Sequence, residues 1–140
     1  MRLIPIPQHP DSASLLYTLL SEQAPEQSIS HKEMPLLEAH EEFIRTKPYT
    51  AWYLADVDGH IVGSTYLGKE DNIGIRIFKD AQRRGFGPEA VRLLMDTHPR
   101  EVFWANINPK NAASIWMFER KLGFKFDREE PTQVVYRWAA

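Results

Sequence analysis

The stretch Ile73-Gly74-Ile75-Arg76-Ile77-Phe78, followed by Gln82-Arg83-Arg84-Gly85-Phe86-Gly87-Pro88, decides how the chain is read. Residues 73, 75 and 77 are β-branched, which predicts a strand over 73–78 with one apolar face and Arg76 on the other. Pro88 suits the first position of a helix, and Val91, Leu94 and Met95 give that helix a core-facing stripe until His98-Pro99 stops it. A loop that leaves a strand and opens a helix presents unpaired backbone amides at the positive end of the helix dipole, an arrangement that suits a phosphate or pyrophosphate. Gly85 and Gly87 remove side chains where the backbone would wrap such an anion, and Arg83 and Arg84 add charge beside it.

Two rival anion loops are tested by spelling. A triphosphate-binding loop needs Lys and then Ser or Thr after its last glycine, and Pro88-Glu89 stand there instead. A dinucleotide fingerprint finds its third small residue in Ala90, but the loop would belong to a lone βαβ unit preceded by an antiparallel hairpin. A plain surface turn with two solvated arginines is the bland alternative.

Working outward, Leu3, Ile4 and Ile6 predict a first strand over 2–6, ended by Pro7 and Pro10. Asp11 or Ser12 caps a helix carrying Leu15, Leu16, Leu19 and Leu20 up to about residue 22. A second helix is expected over 33–45, with Leu36, Leu37, His40, Phe43 and Ile44 on one side and Glu38, Glu41 and Glu42 on the other. Between 50 and 67 two strands flank Asp58-Gly59, a strong hairpin turn. Beyond the glycine loop come a strand over 102–107, a helix over 111–122 ended by Gly123, and strands over 124–127 and 134–138. The order β, α, α, β, β, β, α, β, α, β, β makes one mixed α/β (α+β) domain spanning 1–140.

Composition narrows the function. The 140 residues suffice for one core. With 17 basic against 19 acidic residues, the charge of −2 does not favour nucleic acid as partner. The lack of cysteine removes disulfides, thiolate catalysis and cysteine-held zinc. The histidines at 9, 31, 40, 60 and 98 show no ligand spacing, so no metal is expected. No apolar run approaches the ~18 residues of a membrane span. These features predict a cytoplasmic protein that does not engage a membrane.

At this point the chain resembles the GCN5-related N-acetyltransferase (GNAT) family, whose acyl-CoA loop reads Q/R-x-x-G-x-G/A between the fourth strand and third helix. Residues 82–87 match each fixed position. The run Asn111-Ala112-Ala113-Ser114-Ile115-Trp116-Met117-Phe118-Glu119, and later Gly123-Phe124, is similar to the family's N-x-x-S/A-x-x-x-Y/F-E helix and the G-F after it. The resemblance covers about 50–126 well and the first 48 residues in element order. It implies a single GNAT domain with a mixed, mostly antiparallel central sheet of about seven strands and four helices on its two faces. It implies acetyl-CoA as cosubstrate, held by Ile77, Phe78, Gln82, Arg83, Arg84, Gly85, Phe86, Gly87, Asn111 and Phe118, and attack of a primary amine on the thioester. The acceptor would be a nucleotide-linked amino sugar or a protein amino terminus, and two copies would pair through their C-terminal strands. The alternative function is a non-enzymatic acyl-CoA-binding regulatory module of the same fold.

Three departures bear on mechanism. Phe118 stands where many members carry a tyrosine acid, and Asn72 where many carry a glutamate base, with Glu70 and Asp71 just before it. The spacing from Asn111 to Gly123 is one residue longer than in most members, so the helix end should bulge or overrun. Ser114 shares a helix face with Asn111 and Phe118 and is the candidate proton donor to the leaving sulfur, while Glu70 or Asp71 is the candidate base through water. Amides around Ile77 and Phe78 are the expected oxyanion donors, with Asn106 a further polar group. His31, with Lys32 and Glu33, is expected beside the acceptor, and Trp52 and Tyr53 are candidates to line its groove.

Overall fold

The computed structural model describes residues 1–23 and 34–140. Strands β1 (Arg2–Pro5), β2 (Ala51–Val57), β3 (His60–Leu67) and β4 (Ile73–Ile77) pair antiparallel in sequential order. Strands β5 (Val102–Ile107), β6 (Lys125–Glu129) and β7 (Val134–Ala139) form a second antiparallel sheet in the order β5-β7-β6. The helices among the described residues are α1 (Ser12–Ser21), α2 (Leu37–Arg45), α3 (Phe86–Thr97) and α4 (Ala112–Trp116), the last continued by a π-helical turn, Met117–Lys121. The expected element order is observed, but the seven strands make two sheets rather than one. The sheets touch at a single parallel bridge, Asn72 to Trp104.

That bridge is built by Asp71, which takes the left-handed backbone conformation (φ 63°). Its carbonyl accepts from the Trp104 amide at 3.0 Å, and its carboxylate accepts from Arg100 Nε at 3.0 Å. Beyond this clamp β4 and β5 lie side by side without a further ladder bond.

Strand alternation assigns the two faces of the first sheet. Leu54 packs with Ile6, Leu16 and Leu19, so that face is covered by α1. On the other face Leu67 and Ile73 join Val91 and Leu94 of α3, Phe103, Ala105 and Ile107 of β5, and Phe118 and Leu122 of the π turn. One core therefore runs beneath both sheets and holds them together where hydrogen bonds do not. Fully burying side chains of this size stabilises by roughly 1.5–3 kcal/mol each.

The turn at Asp58 (φ 51°) and Gly59 (φ 86°) joins β2 to β3 as expected, with Val57 opposite His60. A bulge then shifts the register: Asp56 faces Ile61 but Ala55 faces Gly63, so Val62 is the extra residue.

The starts of α2, α3 and β6, and the burial of α2, differ from the reading of the sequence. Helix α2 begins at Leu37, and residue 33 lies outside the described residues. Its apolar side is not core, since Leu36 is 78% exposed and Leu37 and Phe43 are exposed, leaving His40 as its buried residue. The reason is that α2 packs mainly against α1, with His40 on Tyr17 at 5.3 Å, and reaches the first sheet only at its end, through Phe43 and Ile44. Helix α3 begins at Phe86, because Gly85 (φ 81°) turns the chain into it early, and Pro88 is its third residue. That is tolerated because the amides of a first turn have no helical partner. Strand β6 starts at Lys125, because Phe124 is still tied to the helix end through its amide to the Phe118 carbonyl (2.9 Å).

The extra residue between Asn111 and Gly123 is taken up as a bulge. Leu122 donates to the Met117 carbonyl five residues back, at 3.1 Å, which is the π pattern. Gly123 (φ 76°) then reverses the chain. Nothing lies within 4 Å of where its β-carbon would stand, so Gly123→Ala adds backbone strain alone. It is expected to lower stability by about 1–2 kcal/mol, read from the shift of the urea unfolding midpoint at unchanged slope.

Candidate active site

The loop before α3 carries a run of donors. Among the described residues the amides of Arg83, Arg84, Gly85, Phe86 and Gly87 meet no backbone carbonyl. Arg83 (φ 65°) and Gly85 (φ 81°) are both left-handed, which curls the loop, and Gln82 Nε2 braces it by donating to the Ile77 carbonyl at 3.1 Å. Both arginine side chains are exposed. The two glycines play different parts. Gly85 is the left-handed cap, with open space beside it, whereas a β-carbon on Gly87 would meet Met117 Sδ at 3.0 Å. Gly87 thus lets α3 close on the π turn, and the space it leaves is filled by Met117 rather than kept for an anion.

The loop follows the Ile77 end of β4, the end away from the Asn72–Trp104 bridge. The Phe78 amide donates to the Val62 carbonyl at 2.9 Å, so it faces β3 and is not available as an oxyanion donor. Strand alternation turns the amides of Ile75 and Ile77 the other way, toward β5. Of the amides around Ile77 and Phe78, the Ile77 amide faces the gap between β4 and β5, as does that of Ile75, while the Phe78 amide does not.

On one flank of the gap, Glu70, Asn72, Trp104, Asn106, Arg128 and Glu130 line a polar recess. Three of the expected polar residues, Glu70, Asn72 and Asn106, meet there. Asp71 does not join them, because its carboxylate is engaged by Arg100. The Gln133 side chain, and then Arg128, hold the Glu130 carboxyl below the usual range, which makes it a weak base. Glu70 has no ion-pair partner among the described residues.

Near the start of α4, Asn111 Oδ1 accepts from the Ser114 amide at 3.1 Å and caps the helix. Ser114 is half-buried, and its hydroxyl is not needed for the cap. Phe118 is buried in the core, edge-on to Phe124 at 5.0 Å. It has no open face for a cofactor, so its expected contact is corrected to a packing role.

On the other flank, under α1 and α2, lies a cavity of about 270 Å³. Register brings its polar floor together: Trp52 faces Tyr66, Ser64 faces Arg76 and Tyr66 faces Gly74. The Tyr66 ring lies where a β-carbon on residue 74 would be, so Gly74 is what lets it lie flat on the strand. Tyr49 stacks on Tyr66 at 3.7 Å and 7°, Phe43 meets Trp52 edge-on at 6.2 Å, and Trp52 Nε1 donates to Ser64 Oγ at 3.0 Å. Of the aromatic pair named from sequence, Trp52 lines this cavity. Tyr53 points to the opposite face, its hydroxyl 2.6 Å from His98 Nε2. Tyr49, Ser64, Tyr66 and Arg76 were not anticipated at the site. His31, Lys32 and Glu33 lie outside the described residues. Among the described residues no cluster of three or more His, Asp or Glu side chains is arranged to hold a metal, and no helix is long and apolar enough to cross a membrane.

A row of unpaired helix-start amides of this kind suits a phosphorylated ligand. The model of the Acetyltransferase (GNAT) family matches residues 14–124, and the chain belongs to that family. No curated protein matches it by sequence. An acetyltransferase from Thermus thermophilus superposes with a TM-score of 0.80 at 21% identity, covering 99% of this chain and 96% of the other. The structure of yncA from Salmonella typhimurium, with its cofactor acetyl-CoA, gives 0.68 at 15%, covering 99% and 91%. A ribosomal-protein-alanine N-acetyltransferase from Brucella melitensis gives 0.71 at 15%, covering 99% and 98%. At such identities the likeness is one of fold.

Burial raises the Tyr49 hydroxyl well above its ordinary pKa of 10.0; the neighbouring Tyr66 adds to this and Arg76 opposes it. The raised group stabilises the fold fully below about pH 10, and that contribution is lost as pH rises from there toward the folded value. Ultraviolet titration is expected to show a tyrosine step well above pH 10 that disappears in Tyr49→Phe. The same variant should lose less stability than the parent between neutral pH and pH 11.

Proposed function

We propose that the protein is an N-acetyltransferase that moves acetyl from acetyl-CoA to an α-amine. The observation that carries this reading is the row of unpaired amides from Arg83 to Gly87, in the loop that follows the Ile77 end of β4. Such donors at a helix start suit a diphosphate, and Arg83 and Arg84 add the charge that coenzyme A phosphates require.

The reaction is acetyl-CoA plus amine giving N-acetyl amine plus coenzyme A thiol. A C–N bond forms, the C–S bond breaks, the nitrogen loses a proton and the sulfur gains one. The amides of Ile75 and Ile77 are the donors suited to charge on the carbonyl oxygen. Ser114, half-buried beside the Asn111 cap, is the candidate donor to sulfur. A thiolate of pKa near ~8.5 already leaves tolerably, so the loss of a tyrosine at 118 is bearable. Glu70, with Asn72 and Asn106, suits a water chain that carries the amine proton away. An α-amine of pKa near ~8 needs little such help, whereas a lysine-like amine near ~10.4 would need several kcal/mol of it.

The cavity suits an acceptor that carries its amine on an α-carbon beside an apolar side chain. Its aromatic walls suit the side chain carried beside such an amine. The ribosomal-protein-alanine enzyme of similar fold acts on that kind of amine.

Gly85→Val forces a β-branched residue into a left-handed turn. It is expected to weaken acetyl-CoA binding by at least about tenfold, as measured by calorimetry. Ser114→Ala should leave that affinity unchanged and lower kcat by about tenfold or more. If Gly85→Val folds and binds as tightly as the parent, the amide row is not the carrier site. If acetyl-CoA binds but no amine releases thiol, the protein is a binding module instead.

A further inference from the structure

The cavity under α1 and α2 carries one formal charge among its described lining residues, the guanidinium of Arg76, and no carboxylate. Arg76 is exposed and, like Arg83, Arg84, Arg92 and Arg137, has no acidic partner among the described residues; of these five it is the one that lines the cavity. A cationic acceptor such as a polyamine or an aminoglycoside would meet a lone positive charge and no counter-charge there. Desolvating a guanidinium beside Tyr49, Tyr66 and Trp52 is costly unless an anion accompanies the ligand. A carboxylate matches its planar fork.

Position narrows the ligand further. Arg76 sits between Ile75 and Ile77, with its side chain toward the cavity while their amides face the gap. Arg76 and the gap-facing amides belong to adjacent residues of one strand, so a molecule that meets both carries an acid and an amine no further apart than about the length of an arginine side chain. The remaining walls, Leu16, Leu19, Phe43 and Trp52, are apolar.

We infer that the acceptor is a free apolar or aromatic α-amino acid, its side chain in the aromatic cavity, its carboxylate on Arg76 and its amine at the gap. This rests on the N-acetyltransferase reading and narrows it, because an amino terminus within a protein has an amide where the free acid has its charge.

The test measures thiol release at saturating acetyl-CoA with L-leucine, L-phenylalanine, their methyl esters, phenethylamine, spermidine and a Phe-Ala dipeptide, on the parent, Arg76→Met and Arg76→Lys. Esterification lowers the amine pKa and leaves more of it neutral, so a preference for the acid cannot come from amine basicity. The parent is expected to favour phenylalanine over its ester by about 30-fold in kcat/KM, in line with a charged hydrogen-bonded pair. Arg76→Met should bring that ratio below about threefold, mainly through the KM of the acid, and Arg76→Lys should restore part of it. Equal use of acid and ester by the parent, preference for spermidine or the dipeptide, or an equal loss on acid and ester in Arg76→Met overturns the assignment. Calorimetry of phenylalanine and its ester on the CoA-loaded protein judges the cavity apart from turnover. Binding of the acid alone with no thiol release sinks the transferase reading and keeps the cavity assignment, and equal or absent binding of both sinks the assignment itself.

Discussion

The structure depends on one hydrogen-bonding constraint: β4 and β5 are joined at Asn72 and Trp104 and nowhere beyond. Backbone amides rarely stay unpaired unless something else meets them. The Asp71 clamp, with its left-handed backbone and its Arg100 partner, fixes where pairing stops. The core shared by Leu67, Ile73, Phe103 and Ile107 keeps the two strands close without closing the gap by a ladder. The molecule is thus held together by apolar packing at the place where its hydrogen bonds are left open.

The flanks of that opening differ in chemistry because neighbouring strands differ in pattern. Trp52, Ser64, Tyr66 and Arg76 come from three adjacent strands and share a face by register, giving an aromatic cavity with one positive charge. Across the gap, Trp104 lies beneath Arg128 and Arg137, at 5.7 and 5.9 Å from their guanidinium carbons, in a recess rimmed by acids.

Element order and the amide loop were legible in the sequence, because period-two and helical apolar patterns survive any packing and the residues at 82–87 name their own turn. The cavity was not, and Val62 is the reason. The Asp58-Gly59 turn alone would set Trp52 opposite Thr65, and only the bulge brings Tyr66 there. Nothing in the local composition marks Val62 as extra. The apolar side of α2 misled for a related reason: helical periodicity reports a stripe, but not whether a sheet or another helix lies beneath it. Phe78 and Ile77 look alike as residues, and only the ladder direction separates the amide bonded to Val62 from the one facing the gap. The added residue in the last helix was legible as a count, though not as the turn that absorbs it.

The π turn ties two distant pieces of chain into one joint. Met117 fills the notch that Gly87 leaves at the mouth of α3, and five residues on, Leu122 anchors in the core below. A widened coil of this kind has slack that a regular helix lacks, and its thioether is among the most pliable side chains available. Loading of the anion loop would therefore be felt first at Met117. Phe118 and Leu122 of the same turn sit in the core shared by both sheets, so strain at the loop would pass inward through it.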